Sequence, residues 1–111
     1  LDTFPFNGVT TTFEALWKNV PVITKSGYNF NSRCGESILK NANIENFIAS
    51  SNDDYIKKAF FYSNNINELD KARKHLFDKI NDTPLFDTNR FSIDFCEALE
   101  KMQKIKSKND N

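Results

Sequence analysis

The sequence predicts an α/β domain, with a thin parallel sheet in its first half and several helices in its second. Three observations carry this. Short apolar, β-prone segments alternate with helix-period segments over residues 1–50, and the connections between them are short. The segment Val20-Pro21-Val22-Ile23-Thr24 is nearly all apolar, as a strand covered on both faces must be. From Ser51 onward, apolar residues recur at helical spacing.

In order, Leu1 to Phe6 reads as a first strand, stopped by the turn dipeptide Asn7-Gly8. A helix follows, with Thr10, Thr11 and Thr12 as candidate caps and Phe13, Leu16 and Trp17 on its buried side. Val20 to Thr24 is the second strand, broken by Ser26-Gly27. Asn31 to Asn41 reads as a helix with Cys34, Ile38 and Leu39 on one stripe, and Asn46 to Ala49 as a third short strand. Ser51-Asn52-Asp53-Asp54 resembles a capping box with Asp in place of Glu or Gln, opening a helix along Tyr55, Ile56, Ala59 and Phe60. Asn67 is placed to cap the next, with Leu69, Ala72, Leu76 and Ile80 on one stripe. Pro84 interrupts the chain, and Asp87 or Thr88 starts the last helix along Phe91, Phe95, Leu99 and Met102. Trp17 and the phenylalanine stripes are expected to be core. One domain spans 1–111: a strand/helix part over about 1–50, a helical part over 51–106, and a fraying tail over 107–111.

Composition excludes several classes. Fifteen basic residues balance fifteen acidic ones, so no net field attracts nucleic acid or an anionic membrane. No apolar run approaches a bilayer span and no signal segment opens the chain, which together predict a cytoplasmic protein. Cys34 and Cys96 lie far apart, without a CxxC pair or histidines at metal spacing, and read as reduced, half-buried thiols. Beginning at Leu1 inside a strand, with two or three strands in all, the sequence reads as a fragment whose sheet edge upstream strands would cover.

Ligands of parallel α/β sheets bind beyond the carboxyl ends of the strands, where helix N-termini face the crevice. Asn7-Gly8-Val9-Thr10-Thr11-Thr12 lies at such a point. Gly8 lets the backbone turn closely, first-turn N–H groups can hold a diphosphate, and Thr10 and Thr11 add hydroxyls. Glu14, three and four residues on, shares their face, and its carboxylate suits the two donors of a ribose diol. The same pattern also serves as plain N-caps with an acid complementing the helix dipole, and the residues alone leave both readings open. His75, the only histidine, stands in a charged helix and cannot build a Ser-His-Asp or Cys-His arrangement. Asp53, Asp54 and Asp82 read as caps and solvated turns, and Arg33 as one member of a structural pair.

The run Leu1 to Trp17, followed by Val20-Pro-Val-Ile-Thr24, resembles the family 41 glycosyltransferases, the O-linked N-acetylglucosamine transferases and SPINDLY proteins. The resemblance continues through Phe30-Asn-Ser-Arg-Cys-Gly-Glu-Ser37, Ser51-Asn-Asp-Asp-Tyr55 and Thr83-Pro-Leu-Phe-Asp-Thr88, with spacing kept. It implies the last part of the second Rossmann-like domain of a two-domain, GT-B type transferase, often preceded by tetratricopeptide repeats. It also implies that Thr10 and Thr11 bind the donor's diphosphate and Glu14 its ribose, with Asn7, Gly8 and Thr12 completing the site.

The implied reaction is inverting transfer of a sugar to Ser or Thr hydroxyls of proteins, without metal or cofactor. The implied partners are a nucleotide sugar, an acceptor protein and an upstream transferase domain. The catalytic groups would lie upstream, so this segment alone is expected to be inactive. In the animal N-acetylglucosamine enzymes a histidine precedes the threonine pair; here Val9 stands there. The threonine run with Glu14 is closer to SPINDLY-type members, while Ser32-Arg33 favours the N-acetylglucosamine enzymes. UDP-N-acetylglucosamine is therefore the expected donor. The alternatives are GDP-fucose and a non-catalytic interaction domain; a sugar-nucleotide epimerase on the same scaffold is disfavoured by the Thr83–Thr88 motif.

Overall fold

The computed structural model describes residues 1–109, with side chains through Ser107. Among the described residues, five helices and one two-stranded parallel sheet follow in the order α1 (Thr10–Trp17), β1 (Thr24–Lys25), α2 (Cys34–Asn41), β2 (Ile48–Ala49), α3 (Asn52–Asn64), α4 (Ile66–Lys79) and α5 (Thr88–Asn109). Short 3-10 turns, Glu45–Phe47 and Ile80–Asp82, precede β2 and follow α4. Thr24 pairs with Ile48 and Lys25 with Ala49.

Among the described residues the sheet has two strands, the smaller of the two numbers the sequence allows. Leu1 to Phe6 forms no strand: Asp2 N–H donates to the Ile23 carbonyl (2.8 Å), but Pro5 has no N–H for a ladder, and the Phe4-Pro5 bond is cis. The Asp2 carboxylate also accepts from the next backbone N–H, that of Thr3 (2.9 Å), turning the chain in on itself. The expected strand at Val20–Thr24 moves toward its end, to Thr24–Lys25. Val20 to Ile23 stays outside the ladder, again with a proline in the run.

The core forms where α2 and α3 pack on this small sheet, with α4 adding Leu76. Leu16, Leu39, Phe47 and Leu76 are almost fully buried, and Ile38, Ala42, Ile44 and Ile80 close the cluster. Phe47 stacks on Tyr62 with centroids 4.4 Å apart. The loop through Pro84 returns to the first half: Leu85 N–H donates to the Asn41 carbonyl (3.2 Å), and Phe86 packs between Phe13 and Trp17.

Helix starts follow the sequence where a side-chain oxygen is in reach. Ser51 Oγ accepts from Asp54 N–H (3.1 Å) and Asp87 Oδ1 from Arg90 N–H (2.9 Å), as an N-cap should. α4 instead begins at Ile66, after an Asn65 whose side chain bonds back to the Phe61 carbonyl, so Asn67 is not its cap. The expected buried stripes hold for α2 and α4, hold in part for α1 and α3, and fail for α5. Ile56 and Phe60 are exposed, Trp17 is 55% exposed, and every side chain from Asp87 to Ser107 faces solvent. The long dimension of the molecule is 62 Å, and the apolar residues of α5, Phe91, Ile93, Phe95, Leu99, Met102 and Ile105, are all exposed. Cys96 on α5 is exposed rather than half-buried, and Cys34 is half-buried; both are free thiols. α5 continues to Asn109, so three residues of the expected tail are helical and the last two lie outside the described residues.

Candidate functional site

Between Leu1 and α1 the backbone is shaped by side chains rather than by a ladder. Asp2 Oδ1 accepts from Gly8 N–H (2.7 Å) as well as from Thr3 N–H, and Asp2 Oδ2 accepts from the buried Thr24 hydroxyl (2.7 Å). Asn7 is buried: its Nδ2 donates to the Thr3 carbonyl (2.9 Å), its Oδ1 accepts from Gly35 N–H (3.2 Å), and its N–H donates to the Asn31 carbonyl. Thr12, also buried, donates its hydroxyl to the Gly8 carbonyl (3.0 Å).

The expected site residues therefore divide. Asn7 and Thr12 turn inward and hold the loop in shape. Gly8 lies beneath Thr11, where a Cβ would fall 2.6 Å from the Thr11 hydroxyl, so the close turn needs a residue without a side chain. Thr10, Thr11 and Glu14 are exposed, and the three and four residue spacings put them on one face of α1. α1 has no side-chain cap: Val9 occupies the N-cap position, and its carbonyl accepts from Thr12 and Phe13 N–H. Among the described residues, the N–H groups of Val9, Thr10 and Thr11 find no acceptor. The result is a helix start with outward-facing donors, the positive end of the helix dipole and a nearby exposed carboxylate.

A groove of about 700 Å³ opens alongside. Val9 and Phe13 form one wall, and Tyr28, Phe30, Arg33 and Ser37 the other. Val9 is the edge it shares with the helix start; Thr10, Thr11 and Glu14 stand outside it. At its base Glu36 is buried, and its carboxyl is held down to about 2. The Lys40 ammonium (2.6 Å) is the largest cause, followed by the Ser26 hydroxyl and then Arg33 (3.2 Å), against the opposing effect of burial. Arg33 is thus one half of a structural ion pair. His75 lies exposed on α4.

Sequence reasoning missed Asp2 and Gly35. Asp2 carried a signal, because a lone carboxylate inside a β-prone apolar run needs donors from somewhere. Gly35 carried none: only the fold reveals that its backbone must approach Thr24 and Asp2.

The model for "Glycosyl transferase family 41" matches residues 1–95. The chain belongs to this family. It is 35% identical over 92 residues to the "Probable UDP-N-acetylglucosamine--peptide N-acetylglucosaminyltransferase SPINDLY" of Solanum lycopersicum, covering 83% of this chain and 10% of that protein. The "UDP-N-acetylglucosamine--peptide N-acetylglucosaminyltransferase" of Caenorhabditis elegans is 26% identical over 104 residues, 94% of this chain and 9% of its own length. A solved structure, "Thermobaculum terrenum O-GlcNAc transferase mutant - K341M", superposes with a TM-score of 0.84 at 30% identity, over 91% of this chain and 19% of that one. This family 41 chain thus spans about a tenth of the length of the curated relatives it matches. Its two-stranded parallel sheet and trailing helices are part of a Rossmann-like, GT-B type fold.

Proposed function

We propose that this chain is the donor-nucleotide-binding part of an inverting protein O-glycosyltransferase, which moves N-acetylglucosamine from UDP-N-acetylglucosamine to Ser or Thr hydroxyls. The observation that carries the reading is the open start of α1, where three unpaired N–H groups, two free hydroxyls and the Glu14 carboxylate share one edge. Backbone N–H groups at a helix N-terminus suit a diphosphate, and a carboxylate suits the paired hydroxyls of ribose. In an inverting transfer the acceptor oxygen attacks the anomeric carbon while the nucleoside diphosphate departs. Charge then grows on the phosphate oxygens, where fixed N–H and hydroxyl donors stabilise it without a metal. Asn7, Gly8 and Thr12 serve by holding the loop. A base for the acceptor hydroxyl would come from a second transferase domain, with tetratricopeptide repeats as a further partner, in a cytoplasmic protein; no described helix is long and apolar enough to cross a membrane.

Calorimetric titration of UDP and GDP into the full-length protein and its Glu14→Ala variant tests this. Loss of the ribose contact should cost about 1.5–3 kcal/mol, or roughly a 10- to 150-fold rise in Kd. Unchanged affinity would remove Glu14 from the site. Tighter GDP than UDP binding would favour the GDP-fucose alternative, which the threonine run beside Glu14 supports.

A further inference from the structure

The geometry points to Asp2 as the positioning residue of the α1 anion site, a role that rests on the nucleotide-binding reading above. Asp2 does not face the free edge of α1. Its two oxygens take three donors, from Thr3 N–H, Gly8 N–H and the Thr24 hydroxyl, while its own N–H and carbonyl engage the Ile23 carbonyl (2.8 Å) and the Tyr55 hydroxyl (2.6 Å). One residue thereby ties the Gly8 turn to β1 and α3.

The consequence falls on the next three residues. With Gly8 N–H turned back to Asp2, that donor is withdrawn from any ligand, and the following N–H groups, of Val9, Thr10 and Thr11, are the ones left without partners. The contact also holds Gly8 close under Thr11, where an added Cβ would fall 2.6 Å from the hydroxyl. Thr24, fully buried in β1, anchors the far carboxylate oxygen, and Gly35 lets α2 close over the pair. A carboxylate beside an anion site is electrostatically costly unless it organises the donors, and this one is saturated by donors that shape the loop.

The sign of one substitution separates positioning from bystander. Asp2→Asn keeps the shape but removes the charge and one acceptor oxygen. If Asp2 were merely nearby, removing a negative charge would leave UDP affinity unchanged or raise it. As the positioning residue, it should lower UDP affinity about 5- to 10-fold, the difference between charge-assisted and neutral hydrogen bonds, with uridine affinity changed less than about 2-fold. Thr24→Val, at a position no ligand can reach, should weaken UDP binding in the same direction and again spare uridine. The measurement is calorimetry of UDP and uridine on the full-length protein, with circular dichroism confirming that each variant is folded. Unchanged or tighter UDP binding in Asp2→Asn overturns the proposal, as does equal loss for UDP and uridine, or no loss in Thr24→Val. A wild-type protein binding neither UDP nor GDP would fail earlier, at the nucleotide reading itself, and would take the role of Asp2 with it.

Discussion

Replacing Gly35 with alanine tests the packing beneath the loop that leads into α1. Gly35 is the second residue of α2, so on helix propensity alone Gly35→Ala should stabilise by up to about 1 kcal/mol. The structure predicts the opposite sign. A Cβ there would fall 2.2 Å from Thr24 Oγ1, 2.9 Å from Thr24 Cβ and 2.8 Å from Asp2 Oδ2. Overpacking of this kind costs about 1–3 kcal/mol, and displacing the Thr24 hydroxyl from Asp2 forfeits a charge-assisted hydrogen bond of about 1.5–3 kcal/mol. Against the helical gain, the net loss is about 1.5–5 kcal/mol. At roughly 4 °C per kcal/mol for a chain of this size, Tm should fall by about 6–20 °C. Thermal denaturation followed by circular dichroism reads this directly. Thr24→Ala removes the hydroxyl that the new Cβ would meet most closely, so the double variant should be less destabilised than the sum of the singles by at least about 1 kcal/mol. A Gly35→Ala Tm within about 2 °C of wild type, or strict additivity in the cycle, would refute the close approach.

The Glu36 carboxyl lies near 2 when folded against 4.5 as its ordinary value, so the unfolded chain binds the proton more readily. Its contribution is fully present above pH 4.5 and is lost as pH falls toward about 2. Because Lys40 and Arg33 are both more than half exposed, about 2 kcal/mol is expected, and Glu36→Gln should flatten the acid limb of a stability–pH curve by that amount; an unchanged limb would remove the Lys40–Glu36–Ser26 cluster as its cause. Leu76 is 1% exposed and joins α4 to the core, so Leu76→Ala should cost about 2–5 kcal/mol in urea denaturation. A loss under about 1 kcal/mol would show that α4 is held by its surface contacts instead.

Periodicity located every helix to within a few residues, because each helix carries its own pattern in contiguous sequence. The Ser51 and Asp87 caps were legible for the same reason: the acceptor and the N–H it serves are three residues apart. Strands were less legible. Pairing in a two-residue ladder depends on a partner 24 positions away, as Thr24 with Ile48 does, and apolar runs beside it looked equally strand-like. Burial failed most for α5, whose stripe of Phe91, Phe95 and Leu99 records an amphipathic helix without recording what covers it. At the candidate site, spacing alone placed Thr10, Thr11 and Glu14 on one face. Which neighbours would be turned inward was not legible, since Asn7 is engaged by Gly35, 28 residues on, and Asp2 by Thr24, 22 residues on.

The hydroxyl of Tyr55 reaches Asp2 across 53 residues, Arg73 reaches the Asn19 carbonyl across 54, and Phe86 closes over Phe13 and Trp17 from later still. The turn before α1 and α1 itself are among the first parts of this segment to leave a ribosome, yet residues that brace them come much later, Tyr55 for the turn and Arg73 and Phe86 for α1. Closing such loops costs entropy that grows only slowly with their length, but contacts of this span delay folding. During synthesis the start and end of α1 therefore lack these braces until α3, α4 and the Pro84 loop have emerged. A chain released before that point would carry Thr10, Thr11 and Glu14 and still lack the contacts that hold α1 in place.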